Sequence, residues 1–114
     1  MNIDPVRMSV LSALAGGPRH GYGILLDIKE VSSGRLNPPV GSLYRIIDAL
    51  CRDGLIEAER TEVVDGRERR YYQLAEQGRF ALADAVTTVD LVATKARIRL
   101  NPHTHCRPEG KVFS

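Results

Sequence analysis

The chain has few of the residues that build aromatic cores or disulfide scaffolds. Its 114 residues include no tryptophan, two phenylalanines and two cysteines. Cys51 and Cys106 follow no pairing framework, which argues against a disulfide-stapled secreted domain and suits a reducing compartment. The core of this chain is therefore expected to be aliphatic.

Long apolar runs and a strong charge of either sign are also missing. No run approaches the roughly 20 residues that a membrane span needs, and no charged-then-apolar leader opens the chain. We therefore expect a cytoplasmic protein with no membrane partner. The net charge of +2 does not by itself indicate a nucleic-acid partner, so any basic surface has to be local.

Three helices are predicted in the first half of the chain. The first follows Asp4 and Pro5, an N-cap and a first-turn proline, and ends at the glycine pair 16–17. The second begins at 20–23, and the third ends at Gly54, a natural C-cap. Apolar residues at helical spacing predict the buried faces of the second and third helices: Ile24, Leu25, Ile28 and Val31, then Leu43, Ile46, Ile47 and Leu50.

After the third helix, the sequence pattern changes from one typical of helices to one typical of strands. Residues 55–63 and 69–74 predict two short strands, and the Asp-Gly pair at 65–66 between them is a hairpin signal. Three helices and a small β-hairpin, in this order, indicate a mainly α chain with a winged helix-turn-helix domain over residues 1–75. Acidic residues interleave with the arginines near the hairpin tip, so the tip is either a cationic wing or a solvated ribbon. These arginines are Arg67, Arg69 and Arg70.

A long final helix is predicted over residues 76–100. Its apolar residues step by four and three positions in turn, which is the spacing of a helix that packs along another helix: Leu82, Val86, Val89, Ala93, Ala96 and Leu100. The small winged domain is too short to cover this stripe, so we predict a dimerisation helix that pairs with a second copy. The alternative is a helix folded back over its own domain. Residues 101–114 are expected to form a flexible tail.

Three segments carry a resemblance to a known family. They are "HGYGILLDI" at 20–28, "PPVGSLYRIIDALCRDGLI" at 38–56 and "GRERRYYQLAEQGR" at 66–79. In this order the chain resembles the PadR family of winged-helix transcriptional regulators over about residues 6–82, and its single final helix resembles the shorter subfamily. The resemblance implies a homodimer that binds a palindromic operator in double-stranded DNA and represses until a small-molecule effector releases it.

Two departures from the family pattern limit what can be transferred. Ala75 stands where the family commonly has threonine, which removes an N-cap of the final helix that is typically worth about 1 kcal/mol. The chain also has no tryptophan, the residue on which multidrug-binding members stack planar ligands. The ligand class of those members is therefore not transferred.

The outward side of the third helix is predicted to enter the DNA major groove. Gly41 and Ser42 keep the start of this helix thin, so that backbone N–H groups can meet a phosphate, and Ser42 and Arg45 can reach phosphates or base edges. Tyr44 either contacts DNA fully or packs its ring against the wing and offers only its hydroxyl. The wing arginines are predicted to lie over the adjacent backbone or minor groove: Arg67, Arg69 and Arg70.

Some reactive residues have a structural interpretation that is preferred over a functional one. The resemblance implies that His20 and Tyr22 pack where the second helix lies under the others, because the family motif places them there. Cys51 is interpreted as a buried helix cysteine rather than a redox sensor. Three residues near the C-terminus are of the types that ligate zinc, although a flexible tail of accidental composition is the preferred interpretation: His103, His105 and Cys106. No cofactor is expected.

Two other classes of function remain open. A winged helix can serve as a protein–protein adaptor without DNA binding, which the near-neutral net charge favours. An enzyme is disfavoured, because no acid/base pair, no nucleophile with its base and no phosphate loop stands out. A salt titration of duplex binding distinguishes a regulator from an adaptor, because phosphate contacts make affinity fall as salt rises.

Overall fold

The computed structural model describes residues 3–101 and confirms a mainly α winged helix-turn-helix followed by a long C-terminal helix. The elements in chain order are α1 (Pro5–Ala15), β1 (Arg19–His20), α2 (Gly21–Val31), α3 (Val40–Arg52), β2 (Ile56–Val64), β3 (Arg67–Leu74) and α4 (Glu76–Leu100). Two compact units are distinguished, one up to Ala83 and the other from Asp84. The first two turns of α4 therefore belong to the winged unit.

The ends of the first helices follow from local capping chemistry. The side chain of Asp4 accepts a hydrogen bond of 2.8 Å from the backbone N–H of Arg7, which satisfies one of the donors that a helix start leaves unpaired. Gly17 ends α1 with a φ of 136°, a conformation that a side chain would disfavour. Gly54, with a φ of 77°, turns the chain after α3 in the same way.

The core of the winged unit is aliphatic, as expected from the composition. It is built from one side of each of the first three helices, from the residue just before β2, and from the inner ends of β2 and β3: Val10, Leu11, Ala13, Leu14, Ile24, Leu25, Ile28, Leu43, Ile47, Leu50, Leu55, Ile56, Tyr72 and Leu74. Ile46 is partly buried against it. The predicted burial of Val31 is wrong: this last residue of α2 is 63% exposed, because the helix has passed the edge of the core.

The sheet has three antiparallel strands in the order β1-β3-β2. The predicted hairpin between β2 and β3 is confirmed, and its turn has positive φ at both Asp65 (52°) and Gly66 (76°), as a type I′ turn requires. The third strand, β1, was not predicted, because two residues are too few to show an alternating pattern. It pairs Arg19 with Tyr72 and His20 with Tyr71.

The start of α4 packs directly on the backbone that leads into β2. The N–H of Ala75 donates to the carbonyl oxygen of Leu55 at 3.0 Å, and Gly78 is buried against the same carbonyl group. A side chain at Gly78 would overlap that oxygen, so only glycine allows this approach. Within residues 3–101, no helix is both long and apolar enough to cross a membrane.

Candidate nucleic-acid interface

The third helix, α3, has one side buried in the core and the opposite side exposed to solvent. Leu43, Ile47 and Leu50 are at most 1% exposed and anchor the helix on the core. The predicted outward residues do lie away from that core: Gly41, Tyr44 and Arg45 are exposed and Ser42 is half-exposed. Burial of one stripe therefore fixes which side chains α3 presents to a partner.

The first turn of α3 has open backbone donors. Its N-cap is Pro39, and no side chain in the described part of the chain caps this end. A Cβ atom at Gly41 would meet only the Nη1 atom of Arg45, at 3.9 Å, so the chain's own packing does not require glycine there. Arg45 lies back over the turn, where its guanidinium donates to the Ser42 hydroxyl at 3.2 Å. The start of α3 thus combines three features: uncapped backbone N–H groups, a glycine at position 41 and the guanidinium of Arg45.

Tyr44 packs against the start of α2. An ideal Cβ on Gly21 would lie 2.7 Å from Cζ and 2.8 Å from Cε1 of Tyr44, so the ring covers the Gly21 backbone. The side chain remains 43% exposed. The ring thereby joins α3 to α2 while the residue stays accessible from outside.

A cleft of about 440 Å³ separates α3 from the wing. Tyr44 and Asp48 line it from α3, residues 20–22 from the start of α2, and residues 67–70 with Tyr72 from β3. All three predicted wing arginines therefore border one cleft together with Tyr44. Arg45, Ser42 and Gly41 do not line it.

The wing arginines are exposed but differ in their neighbours. Arg69 is paired in register with Glu62 of β2, whereas Arg70 stands opposite Thr61. Arg70 lies two residues before the buried Tyr72, on the same side of β3, and interacts with its hydroxyl: burial raises the pKa of Tyr72, while the charge and hydrogen bond of Arg70 act in the opposite direction. The carboxylate of Glu62 therefore lies where it can compete with a phosphate for Arg69. Arg70 instead interacts with Tyr72 in the inner part of the wing.

Arg60 is a wing cation that the sequence reasoning missed. A bulge between Ala58 and Arg60 shifts the register of β2, so that Arg60 faces Tyr71, and its guanidinium lies 4.0 Å from the centre of that ring. Arg60 also donates to Glu62 at 3.2 Å and to Glu59. The hydrogen bond from Arg60 lowers the pKa of Glu62. Only the bulge, which the sequence pattern does not show, could have revealed this stack.

His20 and Tyr22 have different surroundings. The Nδ1 atom of His20 accepts the N–H of Gly23 at 3.1 Å and so caps α2, and the ring lies edge-on to Tyr71 with centroids 5.2 Å apart. Burial, and then the charge of Arg69, lower the pKa of His20. The structural interpretation is confirmed for His20. It is wrong for Tyr22, which lines the cleft and is 61% exposed.

Cys51 is half-buried and packs against the core, in line with the structural interpretation. Burial, and then the nearby charge of Asp48, raise the pKa of its thiol, which disfavours the reactive thiolate.

Among residues 3–101, no three His, Cys, Asp or Glu side chains are grouped so as to hold a metal ion. The predicted tail and its candidate ligands His103, His105 and Cys106 lie outside the described residues.

The apolar stripe on α4 divides into two parts. Leu82 is partly buried against the core of its own winged unit. Further along, Val86 is 41%, Val89 45% and Leu100 80% exposed. Ala93 is half-exposed and Ala96 exposed on the same stripe. From Val86 onward, then, the stripe is open to a partner.

Comparison with known proteins agrees with this architecture. The family model of the transcriptional regulator PadR-like family matches residues 10–84. An uncharacterised 37.1 kDa protein in transposon TN4556 of Streptomyces fradiae is 42% identical over 71 residues, which cover 62% of this chain but only 19% of that protein.

Solved structures of PadR regulators are also similar to the chain. Bacillus subtilis PadR, crystallised in complex with operator DNA, is similar with a TM-score of 0.63 and 25% identity, over 69% of this chain and 45% of that one. The chain thus spans less than half of that protein. A PadR family transcription regulator from Clostridium difficile has a TM-score of 0.71 and 20% identity, over 86% of this chain and 100% of that one. Because the family model covers well over half of the sequence, the chain belongs to the PadR-like family of transcriptional regulators.

Proposed function

We propose that the chain is a homodimeric, sequence-specific DNA-binding protein that inserts α3 into the major groove of a palindromic operator. The observation that carries this proposal is the bare first turn of α3. Helix N-termini attract phosphates because their N–H groups are unpaired and the helix dipole is positive there. At Gly41 the fold itself needs no glycine, so the missing side chain is best explained by the close approach of another molecule.

Different jobs are proposed for the two arginine-bearing elements. Arg45 sits on the first turns of α3, from which a guanidinium can reach O6 and N7 of a guanine. Ser42 and Tyr44, on the same turn, are proposed to contact the backbone. On the wing, Arg67, Arg69 and Arg70 are proposed to contact phosphates, which fixes the position of the protein on the duplex but reads no sequence.

Self-pairing through α4 is the proposed basis of the dimer. The exposed stripe from Val86 to Leu100 offers the apolar contacts. Charge is also segregated in the part of the helix that follows the winged unit, from residue 84 onward: Asp84 and Asp90 come first, and Lys95, Arg97 and Arg99 come last. Two copies running antiparallel would place opposite charges side by side, which supports this orientation over the parallel one.

Repression, and its release by a small-molecule effector, complete the proposal. A dimer seated on an operator excludes other proteins from the same DNA, and a ligand lowers occupancy only if it binds the free form more tightly. A chromosomal operator implies that the protein acts in the cytoplasm. Regulation by such a ligand would appear as a fall in operator affinity when the ligand is added.

Fluorescence anisotropy on operator and scrambled duplexes, at several salt concentrations, tests the DNA-binding proposal. We expect Arg45→Ala to weaken operator binding by about 1 to 3 kcal/mol, and scrambled binding by less. Replacing Arg69 and Arg70 with alanine should weaken both duplexes alike and reduce the salt slope by about one unit per lost phosphate contact. Arg79→Ala, at an exposed arginine outside the proposed surface, controls for the loss of one charge.

The outcomes separate the competing interpretations. Equal weakening of both duplexes by Arg45→Ala would mean that this side chain touches only the backbone. A protein–protein adaptor, which the net charge of +2 would suit, would show neither affinity for duplex DNA nor a salt slope.

A further inference from the structure

Asp48 is a carboxylate on the side of α3 that faces away from the core. It lies one turn after Tyr44 and Arg45 and lines the cleft between α3 and the wing. Its side chain is exposed. In the described part of the chain, ion pairs within 4.0 Å involve other carboxylates, and Asp48 takes part in none of them. The fold therefore does not use this charge to hold itself together.

An unpaired carboxylate is unfavourable on a surface that meets DNA. Phosphates repel it, and bringing it into a groove removes the water that solvates it. In the major groove, only the amino group of a base can donate the hydrogen bond that replaces this water. Guanine presents acceptors at O6 and N7, thymine presents an acceptor at O4, and adenine places the N7 acceptor beside its amino group. Cytosine N4 offers a donor without an adjacent acceptor, and it is the usual partner of an Asp or Glu side chain.

We infer that Asp48 is a specificity-determining residue of α3, accepting a hydrogen bond from cytosine N4 and repelling DNA registers that bring a phosphate or another base to that place. This inference rests on the DNA-binding function proposed above. The positions of three neighbouring arginines are consistent with this role of Asp48. Arg45 lies three residues before it and Arg52 four residues after it on the same helix, and Arg70 borders the same cleft. The outward side of α3 thus presents donors and an acceptor in alternation.

Selection of bound duplexes from a random pool tests the inference. It is carried out with the full chain and with its Asp48→Asn variant. Asparagine keeps the shape but loses the charge, and it pairs with N6 and N7 of adenine. We expect the unaltered chain to enrich a palindromic site that has cytosine at the same position in each half-site. The variant should shift that position towards adenine, with the preference for cytosine over adenine falling by about tenfold, and should bind random duplexes more tightly.

Asp53→Asn is the matched control. Asp53 is an exposed aspartate at the C-cap of the same helix, outside the residues that line the cleft, so its substitution changes the net charge equally. It should leave the selected site unchanged. Because Asp48 is exposed and in no ion pair, its variant should retain the unfolding temperature of the unaltered chain.

Three results would overturn the inference. The first is a selected site that Asp48→Asn leaves unchanged, and the second is the same relaxation with Asp53→Asn. The third is relaxation at a position that holds no cytosine. If the unaltered chain enriches no site at all, the proposed DNA-binding function fails as well, which distinguishes that failure from failure of the role of Asp48 alone.

Discussion

Substituting Gly21 with alanine is expected to dislodge the Tyr44 ring from the start of α2. The new Cβ atom would lie 2.7 and 2.8 Å from two ring carbons of Tyr44, well inside the 3.4–4 Å range of ordinary contacts. The backbone here is held by the His20 cap of α2 and by the pairing of β1 with β3. The exposed ring is the freer of the two groups, so we expect the ring to move.

The energetic cost follows from how much of the ring is covered. Tyr44 is 43% exposed, so somewhat more than half of its surface is protected. An aromatic side chain buries about 150–250 Å² when fully covered. Swinging it out would expose roughly 100 Å² and cost about 2.5 kcal/mol at about 25 cal/mol per Å². The better helix propensity of alanine offsets up to about 1 kcal/mol, which leaves a net loss of about 1.5 kcal/mol.

Urea unfolding measures this loss, and anisotropy measures the accompanying fall in DNA affinity. Gly23→Ala is the matched control, because there the nearest atom to the new Cβ is Cε1 of His20, at an ordinary 3.6 Å. It should be neutral or stabilising by up to about 1 kcal/mol. In the Gly21→Ala chain, Tyr44→Ala should cost less than in the unaltered chain, since the ring contact is already lost. Equal stability of the two glycine variants would refute the close approach.

Further predictions concern stability, pH and assembly. Gly78→Ala should destabilise the winged unit by about 1–3 kcal/mol in urea unfolding, because the methyl group would overlap the Leu55 carbonyl oxygen; a neutral result would contradict that packing. Burial, and then a neighbouring arginine, lower the pKa of His20 below its ordinary 6.5, so stability should be complete above about pH 6.5 and fall as the pH drops below it. Urea midpoints from about pH 5 to 8 should lose this fall in His20→Asn, which caps without titrating, and an unchanged profile would count against it. Glutamate at both Val89 and Leu100 should convert a dimer to a monomer in sedimentation and weaken operator binding, whereas an intact dimer would show that α4 pairs in another way.

The local sequence determined most of the secondary structure, because its signals act over a few residues. Asp4 and Pro5 start α1 through capping chemistry, and the Asp65-Gly66 pair accepts the positive φ angles of a hairpin turn. Helical spacing of apolar residues also predicted most of the core. From these short-range signals and the family resemblance followed the fold class and the outward side of α3.

Tertiary structure alone decided the features that join distant parts of the chain. Strand β1 is two residues long and exists because β3 offers an open edge, and the stack of Arg60 on Tyr71 depends on a bulge with no periodic signature. Leu82 fits the dimer stripe by spacing, yet its position near the start of α4 places it against the core. In each case the deciding contact is made by a residue far away in sequence, which spacing within one element cannot reveal.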